Sequence, residues 1–107
     1  MIDRDIETAF NICVCICSQD GVVSSQEEAA VVDKFKSIFN LEDSNLDDLF
    51  DRFFSSKNHI DTYLDKITDV DLQKKIVDIS EFSASTDGLD IRENIALQRA
   101  KIAWGIS

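Results

Sequence analysis

The chain has 107 residues, a formal net charge of −10 and a pI near 4.3. Because domains cluster at roughly 100–150 residues, we expect one domain spanning residues 1–107. The acidity argues against a nucleic-acid partner, since phosphate binding relies on Lys and Arg. A hydrophobic content of 44%, with no proline and only three glycines, favours helices over a turn-rich sandwich or barrel.

The N-terminal residues and the apolar segments predict a cytoplasmic protein without direct membrane insertion. Residues 1–5 lack the basic region and the following apolar stretch of a signal peptide. The longest apolar run, residues 12–17, is much shorter than a membrane-spanning helix.

Three cysteines fall within the first predicted helix, which extends from Ile2 to about Gln19 along an apolar stripe. Alternate residues on a helix point roughly 200° apart, so Cys15 is expected to face away from Cys13 and Cys17. A free cysteine is commonly a small buried hydrophobe. We therefore predict core packing for the cysteines rather than metal binding.

A second helix is expected to begin after Ser24 and to extend as far as Asn40. Ser24 and Glu27, three residues apart, form a capping-box pattern at its start. Two short helices are expected to follow, the third helix with Ser44 as its cap and the fourth with Asn58.

A fifth helix is predicted from about Asp69 to Ser85, and a sixth opens with the capping-box pattern of Asp90 and Glu93. Apolar residues surround most of the sixth helix as far as Trp104, which predicts a central helix packed on several sides. The whole pattern predicts an all-α fold, a compact bundle of five to seven helices.

A pattern that occurs twice organises the chain. Residues 18–27 and residues 85–93 each contain a helix end, Asp-Gly, an apolar residue, a cap and then Glu, with one residue fewer in the second segment. Each segment joins two helices through a tight turn, and we refer to them as the first and second Asp-Gly corners. The repeat predicts two helical hairpins related by a pseudo-twofold axis, with the short helices between them.

The two corners make the chain resemble the TerB-like (tellurite-resistance B) family, an all-helical fold of about this length that includes the N-terminal domain of the co-chaperone DjlA. The family's two small residues before Asp-Gly are replaced here by Ser18-Gln19 and Ser85-Thr86, so the chain resembles a distant member. The residues that match the family pattern are Asp20, Gly21, Val23, Ser24 and Glu27 in the first corner and Asp87, Gly88, Leu89, Asp90 and Glu93 in the second.

The resemblance implies a non-enzymatic stress-response module, of the tellurite-resistance type, that interacts with a membrane-associated protein partner. The acidity of the chain suits a basic protein partner. The net charge of −10 leaves a second hypothesis open, an acidic mimic that occupies a basic nucleic-acid-binding protein. A third hypothesis, an enzyme, requires paired carboxylates that face one another in an apolar cleft.

The aspartates of the corners need a physical explanation, because a carboxylate beside the negative end of a helix is unfavourable by roughly 0.3–1 kcal/mol. Two compensating contacts are open: an amide at the start of the next helix, or a cation or basic partner residue. In the second case the implied cofactor is a weakly bound divalent cation such as calcium, with water completing its shell. The candidate metal ligands are Asp20, Glu27, Asp87, Asp90 and Glu93.

Overall fold

A computed structural model of the chain describes residues 4–19, 23–55, 60–86 and 91–106, without the side chain of Asp61. Within these residues the chain is all-α, with six helices and no strand, as the sequence predicts. The radius of gyration is 12.4 Å, close to the value of about 13 Å for a compact domain of 100 residues. The helices are α1 (Arg4–Cys17), α2 (Ser25–Phe39), α3 (Asp43–Phe54), α4 (Ile60–Leu64), α5 (Val70–Ala84) and α6 (Ile91–Trp104).

Helix α1 lies at the centre of the bundle and contacts each of the other five helices. Every residue from Ala9 to Cys17 except Asn11 is buried. The ring of Phe10 meets the rings of Phe35 and Phe50 edge-on, with centroid distances of 5.4 and 4.8 Å. Edge-to-face pairs of this kind add to the free energy of burial, so α1 organises the core.

The prediction that the sixth helix is central is wrong. Helix α6 packs against α5, α1 and α4 through one face, on which Ala96, Leu97 and Ala100 are buried. The opposite face exposes Ile91 and Ile102 to solvent. A helix that is apolar all round is compatible with a central position, but here α1 occupies that position and covers α6 on one side only.

Helix α2 begins and ends where the sequence predicts. The Ser24 hydroxyl accepts a hydrogen bond from the Glu27 amide at 3.1 Å, and the Ser24 amide donates to Glu27 Oε1 at 2.9 Å. At the other end Asn40 adopts the left-handed conformation, with φ 57° and ψ 44°. Asn tolerates this conformation better than most residues, which explains why the helix stops there.

The cap of α3 differs from the predicted Ser44, because the N-cap residue lies two positions earlier in the chain. Glu42 is the N-cap residue, and its amide donates to Asn45 Oδ1 at 2.9 Å. Lys36 of α2 forms a solvent-exposed ion pair with Asp43 at the start of α3, with 2.8 Å between Nζ and Oδ1. The predicted cap of α4, Asn58, lies outside the described residues.

Side-chain hydrogen bonds fix the positions of α4, α5 and α6. Asp69 caps α5 by accepting from the Asp71 amide at 3.3 Å. The Gln73 side chain donates to the Ile67 carbonyl at 2.8 Å, inside the protein. Trp104 Nε1 of α6 donates to the Leu64 carbonyl at the end of α4 at 3.0 Å. None of the described helices has the length and apolar character needed to cross a membrane.

Candidate functional site

The described part of the first Asp-Gly corner consists of two helix ends, with residues 20–22 outside the described ranges. On the α2 side, Ser24 and Glu27 form the reciprocal capping box. On the α1 side, Gln19 Nε2 donates to the Cys15 carbonyl at 2.8 Å, and the Ser18 hydroxyl donates to the same carbonyl at 3.3 Å. The polar side chains of Ser18 and Gln19 therefore cap the end of α1.

Glu27 is more than a capping residue, because its side chain is buried. Only 2% of its surface is exposed, although residues of this type are almost never fully buried without a partner. Its Oε1 atom accepts from the Ser24 amide, but Oε2 has no hydrogen-bond partner among the described residues. A buried carboxylate oxygen without a donor is costly, so this atom marks the first corner as a candidate binding site.

The second Asp-Gly corner repeats the main features of the first. Glu93 is the third residue of α6 and is also only 2% exposed. Before the corner, the Thr86 hydroxyl donates to the Ser83 carbonyl at 2.8 Å, which caps the end of α5. The repeat in the sequence is thus matched by two glutamates with equal burial in the first turns of α2 and α6.

Of the predicted metal ligands, the structure describes Glu27 and Glu93, whereas Asp20, Asp87 and Asp90 lie outside the described residues. Across the described ranges, no three His, Cys, Asp or Glu side chains are grouped closely enough to hold a metal ion. A cation at either corner therefore needs ligands from the aspartates, and the full ligand set stays a prediction.

All three cysteines are free and buried, so the prediction of core packing is confirmed. Cys15 is buried as well, although the helical spacing predicts that it faces away from the other two, because the whole segment from residue 12 to residue 17 is buried. Burial raises the pKa of Cys13 from 9.0 to about 12, against the opposing effect of the Ser80 hydroxyl, which donates to its sulfur at 3.2 Å. Metal coordination requires the thiolate, and burial disfavours that form here.

A polar cleft of about 520 Å³ between α1 and α4 was not predicted from the sequence. Its lining includes two basic residues, Arg4 and Lys66, and two acidic residues, Asp5 and Glu7. Burial, with the charges of Cys15 and Glu7, raises the pKa of Tyr63 at its edge. The two helices are far apart in the chain, so only the tertiary fold brings these side chains together.

No protein-family model, curated protein or solved structure matches this chain. The resemblance to the TerB-like family therefore rests on the sequence pattern alone, that is, on the two corners and on residues 69–72 and 102–106.

Proposed function

We propose that the chain is a non-enzymatic, TerB-like interaction module whose two Asp-Gly corners bind a divalent cation weakly and present an acidic surface to a basic protein partner. The observation that carries the proposal is the buried carboxylate of Glu27, with one oxygen that has no hydrogen-bond partner among the described residues. The stress-response role implied by the family resemblance is part of the same proposal.

A capping role explains the environment of only one of the two oxygens of the Glu27 carboxylate. The Ser24 amide satisfies Oε1 at 2.9 Å, and an exposed glutamate would leave its second oxygen to water. At 2% exposure that hydration is lost. A cation contacting Oε2 would restore the missing interaction, because buried charges in proteins are paired or coordinate metals.

The chemistry of the donors favours calcium or magnesium over zinc or copper. Every proposed ligand is a carboxylate, and hard cations prefer oxygen ligands. Each corner supplies only a few carboxylates, so water has to complete the coordination shell. A site of this kind is expected to bind in roughly the millimolar range, as weak calcium sites do.

The experiment is an amide NMR titration with calcium, magnesium and zinc salts. Shifts confined to residues 18–28 and 85–94 support cation binding at the corners. Glu27→Gln removes the negative charge but keeps the shape of the side chain, so it should abolish the shifts of the first corner. Asp20→Asn and Asp87→Asn should act on the first and second corner respectively.

Glu28→Gln is the matched control, since Glu28 is the exposed neighbour in the same first turn of α2. This variant has the same change of charge and should leave the titration unchanged. If the amide signals of both corners do not shift at about ten millimolar calcium, the cation proposal is contradicted. If Glu27→Gln and Glu28→Gln reduce the calcium-induced shifts equally, the role of the buried carboxylate is contradicted, because only the net charge of the region would then matter.

The acidic-mimic hypothesis is favoured by a different observation, the outward face of α3. Asp47, Asp48 and Asp51 are all exposed on this 12-residue helix. If the metal titration is silent while a lysine-rich peptide binds at α3 with a steep dependence on salt, the mimic becomes the better interpretation.

A further inference from the structure

Helix α1 carries a polar stripe along one face of its first half. The members of the stripe recur at helical spacing, and they are Arg4, Glu7, Thr8 and Asn11. They line one side of the polar cleft of about 520 Å³, with Tyr63 and Lys66 on the side of α4. We refer to this space as the α1–α4 cleft. The two Asp-Gly corners do not contribute to it, so its polar lining needs an explanation of its own.

The lining of the α1–α4 cleft includes a buried hydroxyl group that has no hydrogen-bond partner among the described residues. This hydroxyl belongs to Thr8, which is only 7% exposed. In contrast, the hydroxyls of Ser18, Ser55 and Thr86 each donate to a carbonyl of the preceding helical turn. Buried polar side chains are normally hydrogen-bonded. A ligand in the cleft can supply the partner that the described chain does not give to Thr8.

The charges around the cleft favour an anion. The Glu7 carboxylate is already paired with Arg52, at 3.2 Å from its Nε atom, and Asp5 also takes part in an interaction. Within the described ranges Arg4 has no ion pair or hydrogen bond, and the ammonium of Lys66 only lies over a tyrosine ring, at 5.6 Å from its centroid. The carboxylates of the lining are therefore engaged, whereas its two cations are available.

The size of the cleft favours an organic anion. A volume of about 520 Å³ lies within the range of small-molecule sites, roughly 300–1,000 Å³. An inorganic anion such as sulfate could contact the cations, but it would leave much of this volume and the polar groups of α1 unused. A nucleic acid is disfavoured by the net charge of −10.

From the two available cations and the unpaired buried hydroxyl, we propose that the α1–α4 cleft binds a small organic carboxylate that carries a hydroxyl group. The ligand's carboxylate pairs with Arg4 and Lys66, since guanidinium groups bind carboxylates through two parallel hydrogen bonds. Its hydroxyl group exchanges hydrogen bonds with Thr8 and with the amide of Asn11. These residues are separate from the two corners, so this proposal and the cation proposal can fail independently.

The experiment is an amide NMR titration of the whole chain with four probes at equal ionic strength: malate, succinate, sulfate and putrescine. The buffer is freed of divalent cations, because malate itself binds calcium. Malate should give saturable shifts in residues 4–11 and 63–66, with a Kd of about one millimolar. Succinate, which lacks the hydroxyl group, should bind about threefold more weakly or less tightly still. Sulfate and putrescine should give no saturable shifts in these residues.

Variants of the lining locate the ligand's two groups. Arg4→Gln and Lys66→Gln should each weaken malate binding by about tenfold. Lys75→Gln is the matched control, since Lys75 is exposed on α5 outside the lining, and it should leave binding unchanged. Thr8→Val keeps the shape of the side chain but removes its hydroxyl. It should weaken malate binding by about threefold and leave succinate binding unchanged, which a merely structural role of Thr8 would not produce.

Four outcomes overturn the proposal. Absence of shifts in residues 4–11 and 63–66 at about ten millimolar malate shows that the cleft does not bind the carboxylate. Sulfate binding as tight as malate binding identifies a general anion site, and saturable shifts with putrescine identify a cation site. Equal losses in Lys66→Gln and Lys75→Gln show that only net charge matters.

Discussion

Helices α1 and α6 have the same length, 14 residues, and both carry apolar residues around their circumference, yet they hold different positions in the fold. In α1, nine residues are buried, including all three cysteines. In α6 only four are buried, and one of those is the carboxylate of Glu93. The apolar breadth of a helix therefore does not show whether its second face is buried in the core or exposed to solvent.

Chain composition explains part of the difference between the two helices. Residues 12–17 of α1 form a continuous apolar run, so no polar side chain marks a solvent side. In α6 polar and charged residues such as Arg92, Gln98 and Arg99 alternate with the isoleucines. These long polar side chains reach water easily, which allows the outer face of α6 to remain at the surface.

The largest expected effect comes from removing a side chain of the central helix. Phe10→Ala should lower the free energy of unfolding by about 3–5 kcal/mol, because Phe10 is fully buried and contacts two other rings. Urea denaturation monitored by circular dichroism measures the change. Phe54→Ala is the matched control at a ring that is 64% exposed, and it should cost less than about 1 kcal/mol. Similar costs for both would contradict a central α1.

An effect that is smaller for each pH unit is expected from the titration of Cys13. Unfolded thiols ionise near pH 9.0, whereas burial raises the pKa of Cys13 to about 12 in the folded chain. Above pH 9 the unfolded state therefore binds fewer protons, so the free energy of unfolding falls as pH rises. The stabilising contribution is complete below pH 9 and is lost between pH 9 and about 12, with a slope of about 1.4 kcal/mol per pH unit.

Denaturation on either side of pH 9 tests this expectation, with Cys13→Ala as the comparison. The variant should lose stability with pH less steeply than the wild type, because the titrations that remain are common to both proteins. They include that of Cys15, whose pKa burial also raises to about 12. Parallel curves would show that the Cys13 thiol is accessible to solvent in the folded chain, which the central position of α1 does not allow.

The smallest effect is expected on the outer face of α6. Ile102→Ala should change the free energy of unfolding by less than about 0.5 kcal/mol, because Ile102 is 79% exposed. Leu97→Ala, on the buried face of the same helix, should cost about 2–5 kcal/mol. The wild type and both variants are denatured at two protein concentrations, because the stability of an oligomer depends on protein concentration. A large and concentration-dependent effect of Ile102→Ala would show that the second face of α6 is buried in an oligomer.

Local chemistry made much of the fold predictable. The Ser24–Glu27 capping box and the left-handed Asn40 depend on residues a few positions apart, and the structure has both. The sequence pattern predicts Ser44 as the cap of α3, because Ser is a common cap. In the structure the cap is Glu42, whose backbone amide donates to Asn45 Oδ1. The position of α6 depends on which faces the other helices cover, and no local pattern contains that information.

The candidate site was predictable to a lesser degree. The sequence pattern identifies Glu27 and Glu93 as equivalent residues, but their burial results from tertiary packing and could not be inferred from a capping pattern. The proposed aspartate ligands, Asp20, Asp87 and Asp90, lie outside the described residues and stay predictions. The exposure of Ile91, Ile95 and Ile102 could not be predicted, because the apolar pattern of α6 indicates a central helix whereas α1 occupies that position.

The central position of α1 also affects how the chain is synthesised, because α1 precedes all the helices that bury it. Its hydrogen bond from Ser80 to Cys13 joins residues that are 67 positions apart. A ribosome adds roughly 5–20 residues per second, so the nascent chain carries an incompletely covered α1 for several seconds before α5 has been made. During that interval α2, α3 and α4 are the only helices that can pack on α1. The core around α1 can therefore be completed only after α5 and α6 have been translated.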